Sequence, residues 1–253
     1  MLVLQIYTDN FIFARVIERI AVMDNFEQYG IFQRSAMLLG EKAQAALESS
    51  RVILFGVGGV GSWCAEALVR SGIRRLTIVD SDVVNESNVN RQLMATSETI
   101  GEVKVNALKE RLLQINPEAE INPVCERFTA DSAASFHLDE YDYIIDAIDS
   151  LKDKAELILR ACETDAVFFS SMGAARKIDP TRVKVADFWK VRDCPLGAAL
   201  RKKLRREGTL PQKSFLCVYG DEVLPVVGGS LVTVTAVFGM NLAALVIKDA
   251  YSR

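Results

Sequence analysis

The chain has 253 residues, is 50% hydrophobic and carries a formal net charge of −3. That length and apolar content support one sizeable core, in a single domain or a domain with an appendage. The mild acidity excludes a protein that holds nucleic acid by bulk positive charge and leaves only local basic patches for that role. Cys64, Cys125, Cys162, Cys194 and Cys217 are scattered without a C-x-x-C pair, which argues against a zinc knuckle or a disulfide framework and predicts a reducing, cytoplasmic setting. With His137 the lone histidine, histidine-based catalysis is not expected.

Residues 1–30 read as an N-terminal extension. Met1 to Val22 is moderately apolar, but Arg15, Glu18 and Arg19 interrupt it. It lacks the basic start, clean apolar stretch and cleavage site of a signal peptide. It reads as a helical extension, or as sequence upstream of a start at Met23. Phe26 to Leu47 follows a helical pattern, broken near Gly40, and carries Arg34.

Arg51 to Arg91 organises the rest. Val52 to Phe55 is an apolar run suited to a buried strand. Gly56, Gly58 and Gly61 follow at G-x-G-x-x-G spacing, with Gly59 between them. A helical pattern then runs to Ser71, and Gly72 is placed to end it. Leu76 to Val79 is a second buried strand, ending at Asp80. Strand, glycine turn, helix and strand make a nucleotide-binding βαβ unit. The glycines let backbone approach a phosphate, the helix N-terminus offers free N–H groups, and Asp80 can accept hydrogen bonds from ribose hydroxyls.

Most such fingerprints bind NAD, but the next stretch differs. Asp82, Asn88, Asn90, Arg91 and Gln92 crowd donors and acceptors just beyond the turn. An NAD domain has no need of an arginine there, whereas a triphosphate does, because a guanidinium pairs with phosphate oxygens bidentately. Gly101 to Ile115 is an amphipathic helix with Lys104 near its start, where the helix dipole opposes a cation unless an anion is at hand.

Asn116-Pro117 ends that helix. Ile121 to Cys125 fits a strand, and Tyr141 to Ile148 another, buried and running out through Asp146 to Asp149. Carboxylates at such strand ends sit in the ligand crevice of α/β folds. Asp149 is thus a candidate ligand for Mg2+, a hard cation that favours carboxylate and phosphate oxygens. A helix over Lys152 to Thr164 and a strand over Val167 to Ser170 follow. Gly173 to Asp187 turns at Asp179-Pro180 and returns as an alternating strand. Pro195 to Glu207 is a helix bearing Arg201, Lys202, Lys203, Arg205 and Arg206, a solvated face or a phosphate-backbone contact. Lys213 to Tyr219 contains Cys217. Val223 to Ile247 carries no charge, but Pro225, Gly228 and Gly229 break its first part; it reads as a buried or dimer-interface helix from about Leu231, with no stable membrane insertion.

In order, GVGGVG, VDSDVVNESNVNRQ, G-E-V-K and IDAIDS resemble the ThiF/MoeB family, the adenylating enzymes related to ubiquitin activators. Further on, SMGAARKIDPTRVKVADFWKVRDCPLGAALRKKLR, the Cys217-Val218-Tyr219 stretch and the GSLVTVTAVFGMNLAALVIKD tail resemble its tRNA threonylcarbamoyladenosine dehydratase branch. The resemblance implies an α/β fold: a Rossmann-like ATP-binding sheet flanked by helices over residues 31–171, with a smaller C-terminal α/β extension over 172–253 for tRNA binding and dimerisation. It implies ATP and Mg2+ as cofactors. Gly56, Gly58, Gly59 and Gly61 would form the phosphate turn, Asp80 would hold the ribose, Asn88, Arg91 and Lys104 would meet the phosphates, and Asp82 and Gln92 would join the nucleotide-binding set. Asp149 would bind the metal. Arg34 matches an arginine that reaches into the partner subunit's site, which implies a homodimer; where the family often has another arginine three residues earlier, this chain has Ile31. Arg176 stands in place of a more usual glycine. Sulfur-relay proteins are further partners that the resemblance admits. Cys217 matches a place where some relatives carry an acyl-accepting thiol, but its apolar strand argues for an inert, packed side chain.

The implied activity is ATP-dependent cyclisation of threonylcarbamoyladenosine in tRNA. Two other readings stay open from the residues alone: activation of the C-terminus of a ubiquitin-like sulfur carrier, and an NAD-binding module.

Overall fold

The computed structural model describes residues 27–253. The reading of residues 1–26 as an extension lies outside the described residues.

The first helical pattern divides into α1 (Gln33–Leu39) and α2 (Glu41–Ser49), which break at Gly40, as its non-helical φ of 83° and ψ of 161° require. β1 (Arg51–Phe55), α3 (Gly61–Arg70) and β2 (Arg75–Val79) form the βαβ unit, with β1 and β2 parallel from Arg51 against Arg75 to Phe55 against Val79. Gly72 ends α3, and the Ile73 N–H donates to Leu68 O at 3.1 Å. α4 (Lys104–Ile115) starts at Lys104 rather than Gly101, because Val103 is extended and bridges to Val83. β3 (Glu120–Val124) lies beside β2.

β4 (Tyr143–Asp146) is shorter than its apolar pattern. Ala147 N still donates to Phe55 O at 2.8 Å, but Ile148 N turns back to the Asp146 side chain, so the ladder stops. α5 (Leu151–Glu163), β5 (Val167–Ser171), β6 (Val183–Asp187), α6 (Pro195–Glu207), β7 (Leu216–Gly220) and α7 (Val232–Ser252) complete the chain.

One seven-stranded sheet runs β3-β2-β1-β4-β5-β7-β6. β6 is its antiparallel edge, and the other pairings are parallel. The sheet therefore crosses the division predicted after Ser171 without a break. Leu47 of α2, Leu68 of α3, Leu108 of α4 and Phe238 and Leu242 of α7 bury one face. Leu157 and Ile158 of α5 and Leu200 and Leu204 of α6 bury the other.

α7 is long and apolar enough to cross a membrane by length and composition. Its positions Val234, Phe238, Leu242, Val246 and Ala250 are buried, and it packs on α3, α2 and β5. The contact with α3 is close at Gly239, where a Cβ would stand 2.4 Å from Val60 O.

Candidate active site

β1 has β2 on one side and β4 on the other, so the strand order reverses there. α/β sheets open a crevice at such a point, beyond the carboxyl ends of the strands. Here a cavity of about 710 Å³ occupies that place, and Gly56, Gly58, Gly59, Asp80, Asp82, Asn88, Arg91, Gln92, Lys104 and Asp149 all line it.

Gly61 does not line the cavity. A Cβ there would stand 1.8 Å from Gly56 O, so this glycine lets α3 lie against the turn. Gly56 turns the chain with φ at 84°. Ser62, which the pattern analysis did not single out, ties this turn down: its Oγ donates to Gly58 O at 2.7 Å and accepts from Leu93 N at 3.1 Å.

The Asp80 carboxylate spans two backbones. Oδ2 accepts from Val57 N and Oδ1 from Asp82 N, each at 2.9 Å, which locks the glycine turn to the end of β2. Lys104 Nζ lies 2.7 Å from Asp82 Oδ2, with the lysine side chain 6% exposed and the aspartate 64%. A sheltered cation thus borders the cavity with a solvent-facing partner, an arrangement that an arriving phosphate can compete for. Asn88 is buried and accepts from Asn85 N at 3.0 Å, capping a short 3-10 turn. Arg91 Nη1 donates to Ser87 O at 2.8 Å and to Asn90 Oδ1 at 2.9 Å, which orients the guanidinium at the rim. Gln92 is 6% exposed, and its Oε1 has no partner among the described residues. A buried acceptor left unpaired is costly, so this amide end has reason to meet a ligand.

The carboxylate that ends β4 and the one just beyond it part company. Asp149 is exposed and lines the cavity. Asp146 is fully buried, 2.7 Å from Lys154 Nζ, which is equally buried. Arg127 and Asp153, also not foreseen, line the cavity as a pair: Arg127 Nε and Nη2 lie 2.8 and 2.6 Å from Asp153 Oδ2. Ser150 caps α5 by accepting from Asp153 N, and that S-x-x-D spacing was a readable signal for Asp153. Nothing in the sequence pattern marked Arg127.

Among the described residues no group of three or more His, Cys, Asp and Glu gathers to hold a metal. Asp153 is committed to Arg127. The donor set therefore suits a hard cation that takes one carboxylate, Asp149, and its remaining oxygens from phosphates and water, as Mg2+ does on nucleotides.

Arg34 is exposed on α1 and does not line the cavity of its own chain. The basic run on α6 divides. Arg201 lies 5.8 Å over the Phe188 ring and donates to Phe188 O at 3.0 Å, and Arg205 lies 5.2 Å over Trp189. Lys203 pairs with Glu207 at 2.6 Å. Lys202 and Arg206 are exposed. A second cavity, of about 650 Å³, lies between the start of α6 and the segment after β7, and of the expected site residues only Arg201 borders it. Cys217 is fully buried on β7, and burial pushes its thiol well above the usual cysteine range.

A ThiF family model matches residues 32–250. The tRNA threonylcarbamoyladenosine dehydratase of Bacillus subtilis (strain 168) is 41% identical over 191 residues, covering 76% of this chain and 74% of that protein. The Escherichia coli (strain K12) protein of the same name is 38% identical over 198 residues, with 76% and 74% covered. A crystal structure of E. coli tRNA N6-threonylcarbamoyladenosine dehydratase in complex with ATP superposes with a TM-score of 0.82 at 36% identity, covering 87% of this chain and 93% of that one.

Proposed function

We infer the function from one premise: this chain belongs to the ThiF family. It is an adenylate-forming enzyme that uses ATP to dehydrate threonylcarbamoyladenosine in tRNA. The observation that carries this reading is the cavity at the β2-β1-β4 switch point, which unites a glycine turn, an aspartate, an arginine, a lysine and an outward carboxylate, in a chain similar to an ATP-bound dehydratase.

A carboxylate is a poor electrophile. Its oxygen attacks the α-phosphorus of ATP, pyrophosphate leaves, and a mixed anhydride forms. The carbamoyl nitrogen or oxygen then attacks the activated carbonyl carbon, a proton is lost, and AMP leaves with the carboxylate oxygen. The net change is loss of water, and ring closure needs no enzyme nucleophile. What the protein must do is hold the triphosphate, shield its charge and align the incoming carboxylate.

Gly56, Gly58 and Gly59 take the phosphates against backbone, Asp80 takes the ribose, Arg91 and Lys104 neutralise the phosphate chain, Asn88 helps orient it, and Gln92 belongs to the same nucleotide-binding set. Their common cavity supports these roles. Asp149 takes Mg2+, which when bound lowers the charge on the phosphates. Arg34 completes the site of a second copy in a homodimer; its exposure on α1, outside the cavity of its own chain, supports this. Residues 31–171 supply most of the nucleotide cavity, while 172–253 meet tRNA, with Lys202 and Arg206 exposed on α6 and Arg206 3.6 Å from Glu207. Sulfur-relay partners rest on the family resemblance alone. A tRNA substrate supports a cytoplasmic place.

Exchange of labelled pyrophosphate into ATP tests the reading. It should require tRNA bearing the modified adenosine, and AMP release should accompany the cyclised nucleoside. Exchange driven instead by a carrier protein's C-terminal glycine would favour the sulfur-carrier adenylyltransferase, and tight NAD binding without ATP binding would overturn both.

A further inference from the structure

Asp146 and Lys154 are both 0% exposed and 2.7 Å apart, an ion pair wholly inside the protein. Such a pair loses two hydration shells, and apolar residues of similar volume often stabilise a fold as well or better. Its bonds point to a use other than stability. Asp146 Oδ1 accepts from Ile148 N at 3.0 Å, and Lys154 Nζ donates to Ile148 O at 2.8 Å. Ser170 Oγ, also fully buried, donates to Asp146 Oδ2 at 2.6 Å and anchors the carboxylate to β5. The pair thus grips the N–H and the C=O of one residue, Ile148, and that residue immediately precedes Asp149. Both Ile148 and Asp149 line the nucleotide cavity. Asp149 itself is exposed, so what aims it must lie in the backbone behind it.

We propose that the buried Asp146–Lys154 pair is a positioning device that fixes the Ile148 peptide and so presents the Asp149 carboxylate to the metal-nucleotide. This rests on the reading of Asp149 as the Mg2+ ligand. Asp146, Lys154 and Ser170 touch no reacting atom; they act through Asp149, as outer-shell groups orient a metal ligand.

Lys154→Met alone leaves a charged carboxylate buried and unpaired, so its loss of Tm says little. The decisive variant is Asp146→Asn with Lys154→Met. It removes both charges and keeps an oxygen for Ile148 N, but leaves Ile148 O unheld. It should recover most of the Tm lost by Lys154→Met while still needing about tenfold more Mg2+ for half-maximal pyrophosphate exchange, the loss typical of a removed outer-shell partner. In the metal-free, nucleotide-free protein, hydrogen exchange of the amides at 148–150 should be faster than in the parent, with distant strands unchanged. Should the double variant fail to fold, Ser170→Ala decides, with both shifts expected in the same direction. Parent-like Mg2+ dependence and parent-like exchange overturn the positioning role; if Asp149→Ala is inactive in the same assay, the metal reading survives that failure. Should Asp149→Ala itself keep the parent's Mg2+ dependence, the reading of Asp149 fails, and the inference fails with it.

Discussion

β2 and β4 flank β1, and each runs out into an aspartate, yet the two side chains meet opposite fates. Asp80, past β2, stays at the cavity and spends its oxygens on the Val57 and Asp82 amides. Asp146, at the end of β4, is sealed under Lys154 and Ser170, and the cavity receives Asp149 instead. The strands are alike; what covers them differs. A long polar loop follows β2, whereas α5 begins at Leu151, soon after β4, and swings a lysine over the strand end. A strand-end carboxylate is therefore a statement about place along a sheet. Whether it faces ligand or interior depends on the next element.

The contrast breaks most severely at Asp149. Asp149→Ala should abolish adenylation with the fold intact, because an exposed loop carboxylate contributes little to the core, while losing a metal ligand removes several kcal/mol of charge stabilisation. Pyrophosphate release near the parent's rate would falsify its assigned role. At the other strand end, Asp80→Ala should both weaken ATP binding and destabilise. The carboxylate accepts two backbone bonds, so denaturant unfolding should report a loss of about 2 kcal/mol. A variant with raised KM for ATP but unchanged stability would reduce Asp80 to a ribose contact only.

Arg34→Ala asks whether the cavity beside Asp149 is completed from a second copy. ATP turnover should fall with dimer formation little changed. Mixed with Asp149→Ala under confirmed subunit exchange, part of the activity should return, since one site in the heterodimer keeps Asp149 and a partner's arginine. Absence of recovery would put both residues in one subunit or remove Arg34 from catalysis.

The smallest effect is expected at Cys217, which pairs with Ser170 across β5 and β7 and so belongs to the sealed side. Burial holds its thiol protonated at working pH. Cys217→Ser should keep most dehydration activity and lose only modest stability. A variant that forms the adenylate but cannot release cyclised nucleoside would make Cys217 a covalent catalyst.

The local chemistry of the chain determined a good deal by itself. Apolar runs located β1 and β2, the glycine spacing located the turn, Gly40 and Gly72 located helix ends, and the family motifs identified Asp80, Arg91, Lys104 and Asp149 as a set. These features act over a few residues, through periodicity and turn geometry, so they survive in a one-dimensional reading. Tertiary structure alone decided that Asp146 is sealed under Lys154, that Gly61 lets α3 lie against the turn, and that two of the α6 arginines lie over Phe188 and Trp189. It also made the pairs Arg127–Asp153, Asp146–Ser170 and Ser62–Leu93, whose members lie 26, 24 and 31 positions apart. The reason is physical: a buried polar group needs a partner wherever the sheet brings one, and separation along the chain carries no record of which partner that is.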